Sequence, residues 1–316
     1  LNRNLPGDRV PEKDMVGIIA FFYFLCLVLI VENGYILVVL AKKWVRCGTL
    51  PPSDKILTFL SASRFFLQWV ICGRNLYILL YPMAFPYNPL YQYIYFQWDF
   101  FNSVSIWSSA LLSVFYCVKI TTFTYPIFLW LKWRISRYMT WLLLGSLGLS
   151  FAIACLFFIG NYYIYYVCSM RNLVFENYTR KILRRKLEIY YFFPLKIITY
   201  LIPAIVFFTC MFLLIASLER HRQKMLHSDS GLSDFQTQVH TRALKTLISF
   251  FILFTSYFLA VMVNNANIFP SLKSWYWGWQ ILIYLCTAIH STILILNNPR
   301  LRDVLKRKSC VRDGIF

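Results

Sequence analysis

Seven times along this chain, about twenty or more residues pass with almost no charge. The apolar runs lie at about 15–41, 53–80, 93–118, 138–160, 189–217, 246–268 and 276–298. Roughly 20 apolar residues are what an α-helix needs to cross hydrocarbon, and a helix satisfies its own backbone there. The composition agrees: 59% hydrophobic residues, 14% charged residues and a mean hydropathy of +0.56 are not those of a soluble domain of 316 residues. The fold class expected is an all-α membrane protein, a seven-transmembrane helix bundle spanning 15–298.

Charge orients the bundle. The net charge of +19 invites a nucleic-acid partner, but cytoplasmic loops of membrane proteins accumulate Lys and Arg, and no soluble basic domain is present. Lys42, Lys43 and Arg46 follow the first run, which places that end in the cytosol. With the N-terminus (1–14) outside, the segments 41–55, 119–137, 218–245 and 299–316 fall inside and hold 19 Lys and Arg. The outer segments 1–14, 81–92, 161–188 and 269–275 hold 10. This bias predicts a multi-pass membrane protein with a basic cytoplasmic tail at 299–316. Residues 1–14 lack a basic n-region and a small-residue cleavage site, so no cleavable signal peptide is expected.

The second outer loop is the exception to the bias, with Arg180, Lys181, Arg184, Arg185 and Lys186. That run reads either as a lure for acidic ligands or as a solvated amphipathic patch. The loop also carries Asn177-Tyr178-Thr179, a glycosylation acceptor placed where the topology requires a luminal segment. Most cysteines fall within apolar runs, and Cys47 and Cys310 lie in basic segments. Cys168 alone is placed well inside an outer loop, so no extracellular disulfide is expected.

Ionisable groups inside spans are costly and need partners or tasks. Glu32 and Arg64 lie about nine and ten residues from the inner ends of the first two spans, a common depth at 1.5 Å per residue. They are expected to pair, helped by Asn33, in a tie that governs packing and switching. Arg74, Asp99 and Lys196 lie in the outer half, where Asp99 could neutralise either base. Trp98 and Asn102, four apart on the third span, share a helical face, and Gln280 stands at comparable depth on the seventh. Polar groups converging among aromatic side chains suit a small amphipathic ligand, although a lone Trp also serves as an interfacial anchor.

Enzymatic signatures are missing. There is no GxxxxGK[ST] phosphate loop, no HExxH pair and no GxSxG turn, and the four histidines are scattered. No enzyme, cofactor or metal site is expected. A secondary transporter would show repeated halves and broken mid-membrane helices, and seven spans do not divide into such halves.

From residue 15 to about 308 the chain resembles the type 2 bitter taste receptors. The likeness rests on Asn33-Gly34-Tyr35-Ile36, Leu50-Pro51-Pro52-Ser53-Asp54-Lys55 and Ser61-Ala62-Ser63-Arg64-Phe65. It continues with Leu111-Leu112-Ser113-Val114-Phe115-Tyr116, Lys119-Ile120 and Phe128-Leu129-Trp130-Leu131-Lys132. Ser217-Leu218, His221, Met225, Asp234, His240, Ala243 and Lys245 extend it, and His290-Ser291 with Leu294 to Leu301 completes it. The resemblance implies a G-protein-coupled receptor for small bitter agonists, acting through a gustducin-like heterotrimeric G protein.

By that resemblance, Trp98, Asn102 and Gln280 fall on ligand-facing positions, and Tyr116 and Lys119 join Glu32, Asn33 and Arg64 as switch positions. G-protein contacts are placed on Lys119, Lys132, His221 and Lys245, each of which also reads as an ordinary inner-loop charge. Asn177 matches the family's glycosylation site. Gln280 replaces a Glu found in some members, Phe254 replaces a common Tyr, and Asp99 has no family role. The third span lacks an acidic-Arg-Tyr triplet and the seventh has no Tyr after Asn298-Pro299, which separates the chain from ordinary amine or peptide receptors. A vomeronasal type 1-like receptor is the same-class alternative.

Overall fold

The computed structural model describes residues 12–80, 89–121, 126–170, 185–226, 233–265, 274–298 and 301–304. Among them there is no strand, and seven helical segments are long and apolar enough to cross a membrane. The first four are α1 (Glu12–Cys47), α2 (Pro52–Leu80), α3 (Pro89–Ile120) and α4 (Pro126–Met170). The fifth span, Arg185–Arg220, is segmented and continues into α5 (Ile202–Leu226). The last two are α6 (Ser233–Asn265) and α7 (Ser274–Asn297).

Local chemistry sets the ends. Gly48, at φ +70°, closes α1, and its N–H bonds the Trp44 carbonyl at 2.8 Å; this left-handed cap costs glycine nothing. Pro52, Pro89 and Pro126 open α2, α3 and α4, where a missing N–H leaves no bond unmade. The fifth span behaves differently. Glu188–Phe192 and Ile197–Leu201 are π-helical, flanking an α-helical turn at Phe193–Lys196 that contains Pro194. The Phe193 N–H reaches back to Glu188 and the Ile202 N–H to Ile197, the wide i→i+5 pattern that often marks functional segments.

The described helices overrun the apolar runs. At 1.5 Å per residue the 45 residues of α4 extend about 67 Å, more than twice the hydrocarbon thickness of about 30 Å. Consequently residues 161–170, expected in a loop, are helical, the backbone at Cys168 among them. Tyr162, Tyr163 and Tyr166 are exposed along this extension; falling hydropathy marks the membrane boundary without ending the helix. The Cys168 side chain and its expected lack of a bridge lie outside the described residues.

The chain divides into two compact units. The first joins residues 1–35 to 249–316. Here Phe22, fully buried, meets Trp277 and Tyr284 edge-on at 5.4 and 5.5 Å between ring centroids. Farther along, the Thr292 hydroxyl donates to Glu32 and the Tyr35 hydroxyl to the Leu301 carbonyl at 2.7 Å. Both helices advance together through these contacts, so α1 and α7 run parallel, as two spans separated by five others must.

The second unit, 36–248, is built on α3. Contacts to α2 pair Tyr77 with Tyr91 and Phe66 with Phe101, so the two helices are antiparallel. Contacts to α4 pair Phe96 with Phe158, Ser103 with Ser150, and Lys119 with Lys132, again antiparallel. Ser103, Ser105, Ser108, Ser109 and Ser113 are all buried along α3. Small side chains of this kind let membrane helices approach closely. Gly160 does the same where α4 meets the fifth span, beside the stacked rings of Phe157 and Phe192.

Candidate ligand-binding site

The N-terminal half of α3 carries the polar set noted in the sequence. Trp98 is 7% exposed and Asn102 only 2%, so neither lies on the lipid face as an interfacial anchor would. Although four residues apart, they serve different neighbours. The Arg74 guanidinium of α2 sits over the Trp98 ring, 5.8 Å from its centroid. The Asn102 amide donates to the Tyr200 hydroxyl on the fifth span at 3.2 Å. Together they put one α3 face in a wedge between two helices.

Asp99 lies half-buried between them. The sequence left its partner open as Arg74 or Lys196; both bases lie near enough to favour its charged form, against a larger cost of burying it. Lys196 has a second anion, forming an ion pair with Glu188 two turns before it. Arg74, Asp99, Lys196 and Glu188 therefore balance in charge. A buried cation over an indole is also well accommodated, since a ring face attracts a guanidinium by about 0.5–2 kcal/mol.

Tyr200 is a site residue the sequence reading missed. It is 2% exposed and belongs to the second π-helical stretch. Pro194 and Pro203 were the available signal, because a proline removes a backbone donor and invites an irregular turn. In the first unit, Gln280 is 1% exposed on α7, and the Trp279 indole N–H donates to the Ala260 carbonyl at 2.9 Å. This ties α6 to α7 beside Gln280.

The expected switch positions are described as follows. Glu32 accepts from Thr292, and the Asn33 amide donates within its own helix to the Leu29 carbonyl at 2.8 Å. Arg64 is buried in α2 of the second unit. Tyr116 is half-buried beside Phe115, at 6.0 Å between ring centroids. Two expected G-protein contacts are brought together, the Lys119 ammonium donating to the Lys132 carbonyl at 3.2 Å. Lys245 is exposed on α6. The backbone of His221 lies in α5, with its side chain outside the described residues, and Asn177 lies outside them entirely.

Comparison with known proteins gives this arrangement a family. Residues 12–311 match the model of the taste receptor protein (TAS2R) family. The chain is 47% identical over 308 residues to taste receptor type 2 member 60 of Homo sapiens, covering 98% of this chain and 97% of the relative. It is 47% identical over 301 residues to the protein of that name from Macaca mulatta, covering 95% of each. Against taste receptor type 2 member 135 of Rattus norvegicus it is 42% identical over 304 residues, 96% of this chain and 95% of the relative. The chain belongs to the TAS2R taste receptor family: it is a seven-helix, multi-pass receptor of the plasma membrane and not an enzyme.

Proposed function

We propose that this receptor detects small bitter compounds through the outer part of its helices and answers by activating a gustducin-like heterotrimeric G protein. The N-terminus is outside, the basic tail beyond residue 299 is cytoplasmic, and Asn177 carries a glycan. The observation that supports the ligand site is the burial of Trp98 and Asn102 on one α3 face, beside Arg74, Asp99 and Tyr200. Such a surface offers an indole for apolar rings and an amide able to donate and accept. Gln280 would add a neutral amide from α7.

The agonist acts by binding one helix arrangement more tightly than another, since only differential affinity shifts a conformational equilibrium. Glu32, Asn33, Arg64, Tyr116 and Lys119 are the positions through which that shift would pass. The G protein would meet Lys119, Lys132, His221 and Lys245 at the cytoplasmic end.

The experiment is a calcium-response screen of a bitter library in cells expressing the receptor and a gustducin-containing chimera. A responding compound should lose at least tenfold in potency on Trp98→Ala and on Asn102→Leu, because a well-placed buried contact is worth about 1.4 kcal/mol or more. Silence across the library at verified surface expression would overturn the reading.

A further inference from the structure

On α4, Trp130, Trp133, Arg134, Arg137, Tyr138 and Trp141 recur at intervals of three and four and are all exposed. That spacing puts them on one helical face. The opposite face is buried through Ile135, Met139 and Leu143. Trp133 is 85% exposed and Trp141 73%, unusual values for the largest apolar side chain. The Arg134 guanidinium lies over the Trp130 ring, 4.9 Å from its centroid.

Distance along the helix fixes the level of this stripe. The outward face runs from Trp141 through Leu144, Phe151, Leu156 and Ile159 to Tyr162, all exposed. From residue 141 to 162 the rise is about 31 Å, the thickness of the hydrocarbon core, with an aromatic ring at either edge as interfacial belts require. Arg137 and Arg134 then stand about 6 and 10 Å beyond that edge, at the depth of phosphate groups. Charge favours an anion there. The whole of α4 contains no acidic residue, and Lys55, whose ammonium donates to Thr140 at 2.9 Å, adds another cation close by.

We propose that this stripe binds the phosphate headgroup of an anionic phospholipid. Arg134 and Arg137 hold the phosphate oxygens, guanidinium forks being suited to that geometry. Trp130, Trp133 and Tyr138 sit around the headgroup, and Trp141 marks the top of the acyl chains. A lipid is favoured over a protein partner because the stripe is continuous with the lipid-facing surface of the same helix. The inference rests on the membrane-spanning architecture; the proposed orientation only names the leaflet as the cytoplasmic one, where anionic lipids are concentrated.

The test uses the purified full-length receptor in nanodiscs of phosphatidylcholine with or without phosphatidylserine, reading co-isolated lipid by native mass spectrometry. The wild type should retain phosphatidylserine preferentially, less so as salt is raised. Arg134→Gln with Arg137→Gln should lower that preference by about twenty-five-fold at low salt, and each single change by about fivefold. The single variants carry the test if the double variant does not fold, and Arg134→Lys with Arg137→Lys should retain much of the preference. Unchanged enrichment in the Gln variants, or no enrichment in the wild type, overturns the proposal. So does a double variant that keeps its lipid preference but no longer activates the G protein in pure phosphatidylcholine, which would make this face a protein contact.

Discussion

Replacing Asp99 with Asn keeps the shape of the side chain and removes its charge, which isolates what the anion does. Arg74 has the most to lose, being 4% exposed. A cation well inside a transmembrane helix costs about 2.5–3.5 kcal/mol by insertion measurements, and less toward the interface where Arg74 lies. Its contact with the Trp98 ring is made with or without Asp99 and changes little. Lys196 keeps Glu188, and with 25% and 46% of their side chains exposed that pair is screened, limiting its share to about 0–1 kcal/mol. The quantity this isolates is a coupling: Asp99→Asn should be less favourable with Arg74 present than with Arg74→Gln in place, by about 0.5–3 kcal/mol. A thiol-reactive fluorophore reads this in detergent, because Cys26 and Cys117 are 0% and 2% exposed and react only on unfolding. The shift in melting temperature and in surface level on Asp99→Asn should be more favourable in the Arg74→Gln background than in the wild type. Equal shifts on Asp99→Asn in the two backgrounds would refute the electrostatic reasoning.

Other outcomes follow from single contacts. A Cβ at Gly160 would stand 2.5 Å from the Tyr191 ring and 2.9 Å from that of Phe192, so Gly160→Ala should cost about 1–3 kcal/mol by overpacking, seen as a lower melting temperature. Thr292→Val removes the donor to Glu32 and should cost about 0.6 kcal/mol; in its presence Glu32→Gln should cost less than alone, which a double-mutant cycle measures. Asn177→Gln should abolish a glycosidase-sensitive shift in gel mobility.

The seven spans were legible because hydrophobic length is a one-dimensional property and hydrocarbon thickness supplies the ruler. Helix ends were less so. Lys132, Arg134 and Arg137 precede the apolar run that begins at 138 but are good helix formers, so α4 extends back past them to Pro126. Depth was legible too, but depth gives height along a helix and not direction around it. It put Arg74 and Lys196 within reach of Asp99 without showing that both act on it, and it did not reveal Arg74 over the Trp98 ring. The bonds from Thr292 to Glu32 and from Asn102 to Tyr200 depend on direction in the same way. No pattern of neutral side chains in an apolar run announces them.

The fifth span carries a consequence of its own. Each i→i+5 stretch holds one residue more than an α-turn would accommodate, so the outer segment contains two units of slack. Relaxing Ile197–Leu201 to α geometry would shift the register of everything outside it by one residue. Lys196 and Phe192 would swing about 100° around the axis, while the ladder inward of Ile202 kept every bond. Such a motion is a twist about the helix axis, so the N-terminal end of the span can be re-aimed while its C-terminal half stays in register.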